Sequence, residues 1–519
     1  MNIGGLLTRS AKIWPNRPGI VHGERKESYA DFNARANRLA QALRHLGIKM
    51  RENVALLMYN CPEMLEAMFG CFKAGMGTVP INFRLHPSES AYIINHSQAR
   101  AVILTPEFNE EVLKIRDQIP KAEHLITVSG ARGVLLDYEW LISKASPSWE
   151  DAQTEPEDVA WLFYTSGTTG QPKGAMLTHR NLLAMTLTYY ADYGSLSPDD
   201  AILHAAPLSH GSGLYALPNI AQGANNVIFE SKSFDPELVF RRIQEYRITN
   251  MFAAPTMVNL LVASEACGKY DNRSMRSIIY GGGPMHVEDL KEAICRLGPC
   301  LTQLYGMGET PMTITYLPTK DHFLDEDENQ MKRLASAGFA RTGVEVRVVD
   351  GKDDDLITGQ IGEIVVRSDV VMKGYWHNKE ATDETLRRGW LHTGDMGYLD
   401  DNGYLFLMDR SKDMIISGGE NIYPREVEEV IMRHPAVREV AVIGVPDPKW
   451  GEAIKAVVAL ASGKRVTEQE LITFCKDHIA SYKKPKSIDF IEELPKNNYG
   501  KIVKKELRDN YWESRDRKV

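Results

Sequence analysis

From about Ile13 to Asp158, runs with a helical repeat of apolar residues, such as YADFNARANRLAQALRHLG, alternate with the short apolar runs NVALLM, GTVPI and AVILT. A repeat near 3.6 and a continuous short apolar run require different backbones, so the alternation predicts βα units around a parallel sheet. The rhythm returns in AILHAAPL, NVIFE, PELVFRRIQEYRI, NMFAAP and MRSIIYGGG, which predicts a second doubly wound unit. Between about Ala335 and Asp409 the pattern changes to VEVRVVD, GEIVVRS and GYLFLMD, strands separated by turn residues, as in a small β-barrel-like unit. Beyond Arg410, DMIISGGENIYPREVEEVIMRHPAVREVAVIGV reads as strand, Gly-rich turn, helix with Pro424 in its first turn, and strand. The expected fold class is therefore α/β: two doubly wound subdomains and a β-rich one over 1–410, then a small α+β domain over 411–519, joined near 409–413.

The chain has 519 residues, which suggests roughly three or four domains or subdomains and ample core. The 61 basic and 69 acidic residues leave a net charge of −8, without the basic excess of a dedicated nucleic-acid binder. No apolar run approaches the roughly 20 residues that span a bilayer, and the first residues, MNIGGLLTRSAKIW, lack the features of a secretory signal. Six scattered cysteines without a C-x-x-C pair fit reduced thiols in the cytoplasm better than a disulfide frame or a zinc site.

One loop stands apart. YTSGTTGQPKGAMLTHRNL, residues 164–182, places hydroxyls, glycines and a lysine directly after the apolar run DVAWLFYT. Gly167 and Gly170 let backbone amides turn inward, Thr165, Ser166, Thr168 and Thr169 add hydroxyl donors, and Lys173 adds positive charge; together they suit phosphate oxygens. The loop is not the G-x-x-x-x-G-K-[ST] type, which is absent, as are G-x-G-x-x-G and H-E-x-x-H.

YTSGTTGQPKG resembles the signature of the adenylate-forming superfamily: acyl- and aryl-CoA synthetases, peptide-synthetase adenylation domains and firefly-type luciferases. Further motifs of that family recur in order: YGGGPM at 280–285, YGMGET at 305–310, GWLHTGD at 389–395, DRSKDMIISGGENIYPREVE at 409–428 and NNYGKI at 497–502. The resemblance covers essentially the whole chain. It implies attack of a substrate carboxylate on the α-phosphorus of ATP, release of pyrophosphate, and an acyl-adenylate that a thiol then attacks.

The resemblance also implies roles. Thr165 to Thr169 with Lys173 would cradle the β- and γ-phosphates, and Glu309 would hold Mg²⁺. Tyr305 would stack on adenine, with the Gly281, Gly282 and Gly283 backbone on its other face. Asp395 would accept from both ribose hydroxyls, with Arg410 as their second partner. His210, in PLSHGSGLY, matches the position flanking the incoming carboxylate, and Lys501, in NNYGKI, the lysine bridging that carboxylate and the α-phosphate. One departure is evident: many members carry a threonine before the Glu, where its hydroxyl contacts the α-phosphate. This chain has Gly308 there, and Thr310 is the candidate substitute. Relatives rotate the C-terminal domain about one residue, here Lys412, withdrawing Lys501 and bringing in Gly418 and Gly419 beside the thiol arm.

The pocket segments HGSGLYALPNIAQG, MFAAPTMV, YGGGPM and GMGETPM contain no Lys or Arg, which disfavours a second carboxylate. With Met251, Met257, Met285, Met307 and Met312 they suit a fatty or aromatic monocarboxylic acid. No carrier-protein serine motif is present, so coenzyme A is the expected thiol; loading of a separate carrier protein, a luciferase-like oxygenase and a catalytically silent binding protein are the alternatives. Expected partners are small molecules, the acid, ATP and CoA, with no nucleic acid and no transmembrane segment, and a homodimer left open.

Overall fold

The structure is a computed structural model that describes residues 1–165, 171–283, 285–325, 327, 331–410, 413–417, 420–496 and 502–512, without the side chains of residues 409 and 410. Among the described residues, seven strands form a first sheet in the order Leu135–Asp137, His124–Thr127, Ala101–Leu104, Asn53–Leu57, Gly77–Ile81, Val159–Thr165 and Lys173–Thr178. The neighbours are parallel except for the last pair, a hairpin. A second sheet of nine described strands runs Phe339–Ala340, Thr315–Leu317, Leu301–Tyr305, Ser277–Tyr280, Asn250–Ala253, Ala201–His204, Asn225–Ile228, Pro18–His22 and Arg25–Ser28.

The two α/β units are thus present, with their borders moved. Pro18–His22 pairs in parallel with Asn225–Ile228, so the first two strands complete the second sheet. Val159–Thr165 and Lys173–Thr178 close the first sheet. Periodicity identifies a strand from its own residues, whereas its sheet is decided by partners some 200 positions away, which no local pattern encodes.

Helices fill the space between the sheets. Pro62–Lys73 is buried at all twelve positions and touches strands of both sheets, its charged Glu63, Glu66 and Lys73 satisfied by Arg25, Arg35 and Asp151. Side-chain alternation divides the apolar residues between faces: Leu56, Trp161 and Ile202 enter one cluster spanning both sheets, while Ala55 and Leu57, or Leu203, face outward into separate clusters. The β-rich unit comprises Glu345–Val349, Gly362–Arg367, Trp390–Leu399, Leu386–Arg387 and Leu405–Arg410. The strands Ile415–Ser417, Glu420–Ile422, Val437–Asp447, Gly451–Leu460 and Ser487–Phe490 form a separate C-terminal sheet, covered by Pro424–Met432, Glu468–His478 and Lys504–Trp512. All six cysteines are free thiols, and no helix among the described residues is long and apolar enough to cross a membrane.

Arg341, between Phe339–Ala340 of the second sheet and Glu345–Val349 of the β-rich unit, ties this connection to the helix His179–Tyr193. Its side chain is 1% exposed and pairs with Asp192, 3% exposed, while its Nη1 donates to the Tyr193 hydroxyl at 2.7 Å. The guanidinium also lies 4.0 Å from the Tyr193 ring centroid. Removing one member of such a pair strands the other charge in a dry site, at a cost of about 3–5 kcal/mol. Arg341→Leu is therefore expected to lower the unfolding free energy, read from urea titration, by that amount, and Arg341→Leu with Asp192→Asn to recover part of the loss.

Candidate functional site

The polar loop leaves the sheet where expected. Thr165 and Lys173 face each other across the hairpin, so residues 166–172 connect the two strands at the carboxyl end of Val159–Thr165. Ser166, Gly167, Thr168 and Thr169 lie outside the described residues; Thr165 and Lys173 are the members of the expected cradle whose positions are described. Strand ends of this kind are where open α/β sheets bind ligands.

Glu309 lies against Thr165, although 144 residues separate them in sequence. Its carboxylate, in a residue only 4% exposed, accepts a hydrogen bond from the Tyr375 hydroxyl at 2.7 Å and one from the Thr165 hydroxyl at 3.3 Å, both at Oε1. The Glu309 carbonyl accepts from the Met372 N–H at 2.8 Å. Lys173 Nζ stands 5.2 Å from the Tyr375 ring centroid. Tyr375 is brought in by residues 373–376, which run along Lys173–Thr178: Met176 N–H donates to the Gly374 carbonyl at 2.9 Å and Trp376 N–H to the Gly174 carbonyl at 2.8 Å. Tyr375 is a site residue that the sequence reading missed. Its signal was slight, an aromatic pair after a glycine whose φ of +139° suits only glycine.

The departure at Gly308 has a steric explanation. A Cβ there would stand 2.6 Å from a Phe163 ring carbon and 2.6 Å from the Thr165 methyl, so those side chains occupy the space a threonine would need. Thr310 is fully buried, and its hydroxyl is engaged within its own turn, accepting from Met307 N–H at 3.2 Å and donating to Met307 O at 3.3 Å. The hydroxyls that reach the Glu309 carboxylate are those of Tyr375 and Thr165.

Of the residues that the resemblance assigns to adenosine, Tyr305 ends Leu301–Tyr305 and donates its hydroxyl to Asp395 Oδ2 at 2.8 Å. Asp395 is held from behind: its N–H donates to Thr393 Oγ1 at 3.1 Å, and that hydroxyl donates to the Ile364 carbonyl at 2.7 Å. Asp395 lies opposite Arg410 in the ladder; the Arg410 side chain lies outside the described residues. Gly281 follows the neighbouring parallel strand Ser277–Tyr280, and a Cβ on it would sit 2.5 Å from the Leu304 carbonyl oxygen. Gly282 has φ +85°, and a Cβ on Gly283 would meet nothing nearer than Pro255 at 4.0 Å.

His210 precedes the buried helix Gly211–Ala221, with its ring centroid 5.0 Å from that of Phe163. Burial pushes its pKa down to about 3, against a weaker opposing hydrogen bond to Ser209, so the imidazole is neutral at physiological pH. It therefore acts as a dipole with one donor and one acceptor nitrogen. Beyond it the wall is apolar: a Cβ on Gly211 would stand 2.7 Å from Met312 Sδ and 2.8 Å from Phe252 Cε1. Met312 has φ +59°, uncommon for a residue with a side chain, and buried. Of the other methionines, Met257 and Met307 are half-buried, whereas Met251 and Met285 pack into the apolar cluster on the outer face of the second sheet. Those two are core, because their strand or loop position directs them away from the shared layer.

Lys412, Gly418, Gly419 and Lys501 lie outside the described residues. Their flanks are placed: Ser417 pairs with Glu420, and Lys496 bridges to Ile502. Among the described residues no three His, Cys, Asp or Glu side chains gather to hold a metal ion. A single buried carboxylate next to a hydroxyl still fits Mg²⁺, which keeps several waters and takes further oxygens from substrate phosphates.

Residues 7–376 match the family model of the AMP-binding enzyme, and residues 426–501 that of the AMP-binding enzyme C-terminal domain. The chain is 37% identical to a feruloyl-CoA synthase of Amycolatopsis sp over 98% of each protein. It is 33% identical to the fatty acid–[acyl-carrier-protein] ligase ScoC of Streptomyces coeruleorubidus over 97% of this chain and 95% of that one. Among solved structures, ATP-bound MatB from Rhodopseudomonas palustris is 31% identical and superimposes with a TM-score of 0.88 over 98% of this chain and 99% of that one. On these grounds the chain belongs to the AMP-binding enzyme family, with both the main and the C-terminal domain of that family, and is an AMP-forming acid–thiol ligase.

Proposed function

We propose that the protein adenylates a hydrophobic monocarboxylic acid, fatty or aromatic, and passes the acyl group to coenzyme A. The observation that carries this reading is the buried Glu309 carboxylate between the Thr165 and Tyr375 hydroxyls, with Lys173 across the Tyr375 ring. That arrangement gathers a cation, a hydroxyl donor and a metal-seeking carboxylate at one strand end, as neutralising and aligning a triphosphate requires.

In the first half-reaction a carboxylate oxygen of the acid forms a bond to the α-phosphorus, and the bond from that phosphorus to pyrophosphate breaks. Thr165 and Lys173 would donate to phosphate oxygens, and Glu309 with Thr165 beside it would hold Mg²⁺, which supplies charge neutralisation at the phosphates. Thr165 takes the place that Gly308 leaves without a hydroxyl, while Thr310 braces the turn. Tyr305 and Asp395 would hold the adenosine, with Gly281 to Gly283 admitting the flat base closely. Arg410 would join Asp395 at the ribose, and Lys501 would bridge acid and α-phosphate. The neutral His210 would orient the carboxylate by a hydrogen bond without competing for its charge. Phe252, Met312 and the side-chain-free Gly211 favour an apolar acyl group.

In the second half-reaction the thiol sulfur bonds to the acyl carbon, AMP leaves with the electron pair of the broken C–O bond, and the thiol proton passes to solvent. We propose that the C-terminal domain, 411–519, turns about Lys412 between the two steps, withdrawing Lys501 and bringing in Gly418 and Gly419 beside the thiol arm. A carrier-protein acceptor is the second reading, supported by the likeness to ScoC; free coenzyme A set against carrier protein decides between them.

The direct test is a panel of carboxylic acids carrying labelled oxygen. An accepted acid is expected to release pyrophosphate and transfer one labelled oxygen to AMP, and label-free AMP overturns the reading. Glu309→Gln keeps the shape and removes the charge, and is expected to slow pyrophosphate release about 100-fold or more, with a raised Mg²⁺ requirement. Lys501→Ala is expected to depress adenylate formation far more than thioester formation from supplied acyl-adenylate. Gly419→Leu is expected to do the reverse, both read by single-turnover assays of each half.

A further inference from the structure

A pair of side chains joins the two parts of the chain at the border of the proposed adenine loop. His286 directly precedes the helix Val287–Leu297 and lies three residues past Gly283. Its Nδ1 lies 3.2 Å from Oε1 of Glu429, on the helix Pro424–Met432 of the C-terminal unit. Oε2 of the same carboxylate accepts from the Val287 N–H at 3.4 Å, so Glu429 also caps the N-terminus of a helix belonging to the other unit. Both side chains are largely withdrawn from water, at 13% and 19% exposure. A carboxylate at a helix N-terminus is favoured by the helix dipole and by the amides left open there.

We infer that His286 and Glu429 are a positioning pair, a clasp that fixes the C-terminal domain against the adenine-side loop and so weights the two half-reactions. The inference rests on the two-step reading proposed above.

The groups around the clasp make it sensitive to pH. Burial disfavours a charged His286, but the hydrogen bond and charge of Glu429, with Glu428 and with Asp289 on the histidine's own helix, outweigh that, so its pKa is raised from the ordinary value. Burial also opposes ionisation of Glu429, and His286, Arg425 and the Val287 N–H overcome it and hold the carboxyl below its usual range. Arg425 Nε stands 3.8 Å from Glu429 on the same helix, and Glu428 is engaged within the C-terminal unit by Lys504 at 3.0 Å and the Val442 N–H at 2.7 Å. For a raised histidine the sign is definite: the ionic part of the clasp is complete at low pH and is lost as pH rises through the raised value.

The test measures the distance between spin labels on the exposed Cys295 and an introduced Lys476→Cys, one in each unit, in a Cys267→Ser background without substrates. The wild-type distribution is expected to be narrow at about pH 6 and to broaden by about pH 8.5. His286→Gln and Glu429→Gln are each expected to be broad at both values, and the double variant no broader than either. Superimposable distributions for all proteins, or a pH response that persists in His286→Gln, overturn the inference. Because this readout needs no turnover, it stands or falls separately from the ligase reading. In the working enzyme, each variant is expected to change the ratio of adenylation to thioester rates by about fivefold or more, with an unchanged melting temperature. An unchanged ratio removes the positioning role.

Discussion

The site depends on one buried carboxylate. Glu309 emerges from the turn after Leu301–Tyr305 in the second sheet, receives Thr165 from the first sheet and Tyr375 from the connection between Gly362–Arg367 and Leu386–Arg387 of the β-rich unit. Three parts of the chain thus converge on one oxygen atom. A carboxylate withdrawn from water must be compensated by donors, and here the compensation is also the architecture, because each donor is borne by a different part. Whatever moves the sheets relative to one another must first break these bonds.

The same economy shapes the surroundings of that carboxylate. Gly308 is forced by Phe163 and the Thr165 methyl, Gly211 by Met312 and Phe252, and Gly281 by the Leu304 carbonyl. Each glycine lies where a neighbour already fills the position of its missing side chain. Met312, at φ +59°, accepts an uncommon backbone conformation to reach the wall, and its turn is closed by its N–H to the Met307 carbonyl at 3.0 Å. Rigid apolar packing around Gly211, Phe252 and Met312 therefore stands directly against the hydrogen-bonded polar packing around Glu309 and Thr165. A reactant bearing both a greasy tail and an anionic head has such a boundary itself.

Much of this was legible beforehand, for reasons that can be named. The strands of both sheets carry their burial in their own residues, as Asn53–Leu57 and Gly77–Ile81 do, buried at every position. Thr165, Lys173, Tyr305, Glu309 and Asp395 belong to contiguous motifs; the first four lie at or just beyond strand ends, and Asp395 lies within Trp390–Leu399. What stayed hidden is pairwise. Nothing near Arg341 announces Asp192, nothing near Glu429 announces His286, and Tyr375 gains its meaning only from Glu309. The sheet to which Pro18–His22 belongs is hidden for the same reason, since alternation is a property of one strand and membership a property of two. Thr310 shows the converse: adjacency in sequence made it a candidate for the absent Gly308 hydroxyl, while its hydroxyl is engaged with Met307.

The pairing of Pro18–His22 with Asn225–Ile228 bears on how the chain comes to be folded. On the ribosome the earliest strand is exposed long before its neighbour has been translated, and its edge must stay open while roughly two hundred residues follow. The seven-stranded sheet, whose strands all lie between Asn53 and Thr178, can close in the interval. The larger sheet can be completed at Pro18–His22 only once Asn225–Ile228 is present, so this strand waits on a partner far along the chain.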